Sequence, residues 1–279
     1  MTRGPSLPLF THLAVIGVCV LWMTPAAGLL VSSFRPSRLV SQSGWWTAFQ
    51  PPFLFTLDNY REVLSTHNMA QSFVNSLLVA VPATVIPILI AAYAAYAFAW
   101  MDFPGREALF LVVVGLLVVP LQMTLIPVLR LLTALGLTGT LLGIWLAHTG
   151  FGLPFAIYLL RSFFSGLPSE MLEAAAIDGA SPLAVFFRVV LPTSGPALAS
   201  LAVFQFLWVW NDLLVALVFL GGSPDVAPMT VTISNLVNSL GQGWQLLSAA
   251  AFIATVLPLA VFFALQRYFV QGILAGSVR

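Results

Sequence analysis

The sequence predicts an all-α polytopic membrane protein of about six spanning helices. Three observations carry this. The 279 residues are 60% hydrophobic and only 7% charged, against roughly 25% charged in a soluble domain, so there is too little charge to cover a soluble surface. Several apolar runs reach the roughly 20 residues needed to cross a hydrocarbon core. The charges gather between those runs: Asp102, Arg106 and Glu107 separate two of them, and Arg161 closes another. The net charge of +1 is neutral on nucleic acid, and no basic cluster supports it as a partner; membrane lipid is the implied surround.

The runs occupy residues 10–34, 71–100, 108–132, 140–163, 196–220 and 246–270. At the first, Arg3, an apolar stretch from Leu13 and the small residues Ala26, Ala27 and Gly28 imitate a secretory signal. The apolar stretch continues through Leu29, Leu30 and Val31, so we read a membrane helix. Its Cys19 is the chain's one cysteine, which excludes an intrachain disulfide. Prolines 82, 87, 120, 127, 154 and 258 fall inside runs. Bundled membrane helices accept them because neighbouring groups can satisfy the freed carbonyls.

Between the first two runs, residues 35–70 carry Trp45, Trp46, Phe49, Pro51 and Pro52, which suit the headgroup layer. Thr56 or Asp58 is placed to cap a short helix there. Residues 221–245, before the last run, are rich in Gly, Ser, Asn and Gln. With the N-terminus cytoplasmic, the inner flanks hold Arg3, Arg106, Arg161, Arg188, Arg267 and Arg279, and the outer flanks hold Arg35, Arg38, Arg61 and Arg130. That asymmetry favours cytoplasmic termini. We find no repeat and read residues 1–279 as a single transmembrane domain.

The polar island EAAAIDGASPLAVFFRVVLP, residues 173–192, lies between the fourth and fifth runs. Ser169 is expected to cap a helix whose first turn carries Glu170, favourable at the positive helix end. Glu170 and Glu173, three apart, share a face that offers carboxylates to a basic partner. Asp178-Gly179 should end this helix. Ser181 should cap a second one with Pro182 at its first position, running to Leu191-Pro192. This is a helix-turn-helix lying across one membrane face.

The spacing of Glu173, Ala174, Ala175, Gly179, Leu191 and Pro192 resembles the EAA loop of ABC-importer permeases, here about residues 165–195; Val189 stands where that pattern has Ile. Asn75-Ser76, the Ala94 to Ala99 stretch, Phe103-Pro104-Gly105-Arg106, Trp210-Asn211-Asp212 and the ending from Gln266 to Gly272 resemble the carbohydrate class. Together they resemble the smaller maltose-type permease, and residues 143–154 its α-glucoside relatives. The resemblance implies a second homologous permease, two ATPase subunits and an external sugar-binding protein as partners. It implies ATPase coupling through Glu173, Ala174, Ala175, Asp178, Gly179, Leu191 and Pro192, and a cytoplasmic tail including Arg267, Gln271 and Gly272 that reaches between the ATPases. It also implies an outer loop at 221–245 that can probe the binding protein. ATP and Mg would bind the partner, so this chain would hold no cofactor, metal or catalytic residue. Nor can a Gly-x-x-x-x-Gly-Lys loop be written in a chain without lysine.

Gln205, Trp208 and Asp212 share a helical face with Asn211 beside them, offering an aromatic ring and hydrogen-bonding groups for a sugar. The alternative is that the tryptophans belong to the outer aromatic belt and Asp212 is a structural acceptor. Gln122 and Thr124 are further path candidates. His148, in the fourth run, reads as a satisfied helix-contact residue, and His12 and His67 are too distant in sequence for metal-ligand spacing. Alternatives outside sugar import are a permease for another polar solute such as glycerol phosphate, a proton-coupled carrier and an intramembrane hydrolase. The hydrolase lacks a Gly-x-Ser-x-Gly elbow.

Overall fold

The structure, a computed structural model, describes residues 9–66, 68–236 and 242–277, with side chains as far as Gln266. His67 and Arg279 lie outside the described residues, as do the side chains of Arg267, Gln271 and Gly272. Every regular element among the described residues is helical. Among the described residues four helices are long and apolar enough to cross a membrane: α1 (Leu9–Ser33), α4 (Met69–Trp100), α7 (Leu141–Phe164) and, over Trp244–Gln266, α14 (Trp244–Ser277). Two bent pairs raise the number to as many as six.

The bends correct two of the expected spans. The run at 108–132 is not one helix: α5 (Arg106–Leu116) and α6 (Leu121–Ala134) meet at 104°. Pro120 has no N–H to continue the ladder and disfavours helical backbone in the residue before it. The run at 196–220 is also two helices, α11 (Gly195–Trp210) and α12 (Leu214–Leu220). Sixteen residues make α11 about 24 Å long, short of the ~30 Å hydrocarbon core. It is preceded, at 74°, by the helical stretch Pro182–Thr193.

The chain divides into two compact units. In the first, α1 leads into α2 (Ser37–Gln42), a 3-10 turn (Trp45–Phe49) and α3 (Asp58–Ser65). The Arg35 guanidinium organises this segment. It is 2% exposed and donates to the Ser43 and Gly44 carbonyls and to the Ser43 and Thr47 hydroxyls at 2.7–3.3 Å. Asn59 donates to the Ser33 and Arg35 carbonyls at 2.8 and 2.9 Å. Gly28 is required where Trp45 crosses α1, since a Cβ there would lie 2.7 Å from the indole nitrogen. Leu57 occupies the cap position of α3, and the expected Thr56 acts from one residue upstream, accepting the Asp58 N–H at 3.0 Å.

In the second unit α4 runs through Pro82 and Pro87 without breaking. Each proline removes the N–H that would bond the carbonyl four residues earlier, here Leu78 and Ala83. An unpaired carbonyl in hydrocarbon costs several kcal/mol, on the order of the full desolvation penalty. Both are satisfied from other helices. Trp145 Nε1 of α7 donates to Leu78 O at 2.8 Å, and Gln205 Nε2 of α11 donates to Ala83 O at 3.1 Å.

Candidate functional site

The polar island forms a projecting loop. Its first helix is α8 (Ser169–Ile177). Ser169 is not the cap: Pro168 holds that position with no side-chain bond, and Ser169 is already helical. The end is as expected. Gly179 takes φ +75°, the Gly179 N–H donates to Ala176 O and the Ala180 N–H to Ala175 O, both at 3.0 Å. This pair of bonds is a Schellman motif, which satisfies the last carbonyls and turns the chain sharply. Ser181 accepts the Ala184 N–H at 3.3 Å and caps α9 (Pro182–Val185) with Pro182 at N1. The second helix then differs from expectation, because Phe186–Val190 is a π-turn that continues into α10 (Leu191–Thr193). Pro192 cannot supply the N–H that a regular ladder would direct to Arg188 O.

The underside of this loop is built into the bundle. Val185, Phe186 and Val190 are buried in one apolar cluster with Ala91, Ala92 and Ala95 of α4, Leu160 and Phe164 of α7, and Leu201 of α11. The Tyr96 hydroxyl donates to Pro182 O at 3.1 Å, and Trp100 Nε1 donates to Phe164 O at 3.0 Å. Tyr93 lies against Phe186 with ring centroids 4.5 Å apart. Arg161 sits over the Phe110 ring at 3.9 Å, with one nitrogen 3.7 Å from Glu107. The upper surface stays free. Glu170, Glu173, Ala174, Asp178 and Gly179 are exposed, and so are the large apolar side chains Ile177 (87%), Leu183 and Phe187. Ala175 and Leu191 pack partly against the cluster, and Pro192 is exposed. A surface that mixes unpaired carboxylates with exposed Ile and Phe fits a protein partner carrying both basic and apolar groups.

The path candidates separate into three places. Gln205 and Trp208 line an aromatic cleft of about 280 Å³ with Phe151, Gly152, Phe155 and Phe204. Gln205 is 4% exposed and its amide N–H is engaged by Ala83 O. Asp212 lies past the end of α11, and its carboxylate accepts the N–H groups of Val215 and Ala216 at 3.3 and 3.0 Å, capping α12. Its carbonyl accepts from the Thr230 hydroxyl at 2.6 Å. Asn211 turns back to donate to Leu207 O at 2.8 Å. Gln122 is exposed near the start of α6 and does not line the cleft. Thr124 donates to Leu121 O within α6.

His148 departs from its expected satisfied state. It is fully buried, its ring meets Trp208 edge-on at 5.3 Å, and Nε2 stands 3.9 Å from an Asp212 oxygen. Among the described residues neither ring nitrogen has a hydrogen-bond partner, nor does the Thr149 hydroxyl. Nearby, Asn75 donates to the Asp225 and Ala227 carbonyls and Ser76 accepts the Met229 N–H at 2.8 Å, pinning the segment before α13 (Met229–Ser234) to the start of α4. The roles of Tyr96, Trp100 and Trp145 were missed in the sequence. The prolines were the available signal for Trp145, since each marks a carbonyl that needs a donor. Among the described residues no group of three or more His, Cys, Asp or Glu could hold a metal ion.

Four to six candidate spans among the described residues, with a helix–glycine–helix loop seated on α4, α7 and α11 and exposed on its other side, define a polytopic membrane subunit built to meet a partner. The chain belongs to the family of inner membrane components of binding-protein-dependent transport systems, which it matches over residues 72–275. It is 60% identical over 271 residues to the osmoprotective compounds uptake permease protein GgtD of Synechocystis, covering 96% of this chain and 91% of that one. It is 59% identical over 255 residues to the alpha-glucoside transport system permease protein AglG of Rhizobium meliloti, covering 90% and 67%. A chain of a bacterial ABC transporter for import of the acidic polysaccharide alginate shares the fold, with a TM-score of 0.75 at 20% identity over 96% of this chain and 99% of that one. The chain is therefore a multi-pass inner membrane permease component of an ABC importer and not an enzyme. An ATPase, which carries out ATP hydrolysis, and a binding protein are its partners by family.

Proposed function

We propose that this permease carries a sugar, an α-glucoside or maltose-like oligosaccharide, as one single-domain subunit of an ATP-driven importer. The similarity to the AglG permease, 59% identity over 90% of the chain, is the observation that carries the reading. The chain pairs with a second homologous permease and two ATPase subunits, its termini are cytoplasmic, and an external binding protein delivers the sugar. The exposed top of the loop at about 165–195 docks on an ATPase. Glu173 and Asp178 meet basic groups, Gly179 makes the turn, and Ile177, Leu183 and Phe187 enter apolar depressions. Because Val185 and Phe186 sit in the same cluster as Ala91 and Leu160, ATPase closure displaces the ends of α4 and α7 with the loop and switches access across the membrane. The tail around Arg267, Gln271 and Gly272 reaches between the ATPases.

A second reading, uptake of an osmoprotective compound, is favoured by the similarity to the GgtD permease. One experiment separates them. The assembled importer in proteoliposomes is given ATP inside and its binding protein outside, with labelled maltose or labelled glycine betaine. ATP-dependent maltose accumulation supports the sugar reading; accumulation of betaine alone overturns it.

A further inference from the structure

The two orphaned carbonyls of α4 are five residues apart, which on a helix separates them by about 140° around the axis and ~7.5 Å along it. They therefore face different neighbours. Leu78 O is taken by Trp145 of α7, 67 positions away in sequence, and Ala83 O by Gln205 of α11, 122 positions away. An indole N–H can only donate, and a carbonyl can only accept from the amide nitrogen of Gln205, so both bonds have one possible polarity. Next to Ala83, the Thr84 hydroxyl donates back to Ala80 O at 2.7 Å, a kind of bond that often bends helices. The α7 backbone also clears the space for Gln205: a Cβ at Gly152 would lie 2.7 Å from its amide nitrogen.

We propose that Trp145 and Gln205 are positioning residues for transport. They replace the two missing rungs of the α4 ladder, hold its double-proline segment in one bend, and tie α4, α7 and α11 into one moving body. The proposal uses the family assignment and not the identity of the solute. Gln205 then acts on transport through α4, although it also borders the aromatic cleft.

Removing the matching proline tests this. In the reconstituted importer, Gln205→Leu is expected to lower Tm by about 2–4 °C and to reduce ATP-driven uptake several-fold. Adding Pro87→Ala returns a peptide N–H to Ala83 O and is expected to restore most of both, while Pro82→Ala is not. Conversely, Pro82→Ala and not Pro87→Ala should rescue Trp145→Phe. Rescue of either variant by both prolines alike would show general stiffening and overturn the clamp. Failure of the matched proline to rescue would overturn it too, and would point to solute contact for Gln205. If Gln205→Leu does not insert, the Trp145→Phe and Pro82→Ala pair decides alone.

Discussion

The Tyr96 hydroxyl and the Pro182 carbonyl, 86 positions apart in sequence, are joined by a 3.1 Å hydrogen bond that ties the end of the second long span to the first residue of the loop's second helix. A force on the loop reaches α4 through this bond and through the ring contact of Tyr96 with Phe186, 5.3 Å between centroids. Tyr96→Phe keeps the ring and removes the bond, worth about 1 kcal/mol. We expect a small drop in Tm and more ATP consumed per solute carried, measured together in proteoliposomes. An unchanged ratio would show that the ring packing alone transmits the motion.

Gly179 tests the docking turn. A Cβ at this position meets nothing within 4 Å, so any effect of substitution comes from the backbone at φ +75°. A side chain there costs roughly 1–2 kcal/mol, and β-branching or bulk adds to it. Gly179→Leu should leave the chain inserted in the membrane but uncouple ATP use from uptake. Wild-type transport by this variant would refute the docking assignment.

Ile177 tests the surface without touching the bundle. It is 87% exposed, so Ile177→Ser should alter stability by no more than about 0.5 kcal/mol. Recovery of the ATPase with the tagged permease should nevertheless fall sharply. Full recovery would exclude this face as the ATPase contact.

Asp212 separates a structural carboxylate from a path residue. Asn can accept one of the two α12 N–H bonds through its remaining carbonyl oxygen, whereas Ala accepts neither. We expect Asp212→Asn to be mild and Asp212→Ala to cost about 1–2 kcal/mol, each lowering uptake only in proportion to lost folded protein. A strong uptake defect in Asp212→Asn with unchanged Tm would instead return Asp212 to the solute path.

Gly152→Ala should be more damaging than an Ala on a membrane helix ordinarily is. Its methyl would displace the Gln205 amide, and moving that amide into the cleft gives up its bond to Ala83 O, worth about 1 kcal/mol. Shortening the neighbour, in Gly152→Ala with Gln205→Ala, should recover part of the loss in a thermal-shift measurement, and no recovery would contradict the clash.

Much of the candidate site was legible because it is local. Asp178-Gly179 and Ser181-Pro182 specify a Schellman stop and a capped restart through bonds spanning a few residues, and the structure forms both. The π-turn at Phe186–Val190 was not legible, because a regular helix would satisfy the same apolar spacing and Pro192 marks a missing N–H without fixing how the ladder reroutes before it. His148 was misjudged for a related reason. Burial was predictable from its apolar surroundings, but the position of Asp212, beyond the end of α11, decides whether a partner comes within bonding distance.

Composition and local pattern alone determined that this chain is a helical membrane bundle with a polar loop, because hydrocarbon admits few charges and a backbone turn needs only its own neighbours. They also marked Pro82 and Pro87 as places where α4 would lack hydrogen bonds. Tertiary structure decided which groups supply them. It also decided where the spans at 108–132 and 196–220 break, and that a histidine on α7 and an aspartate in the connection after α11 approach without bonding. Such pairings depend on the rotation and height of one helix against another, a geometry that side-chain spacing along a single helix does not contain.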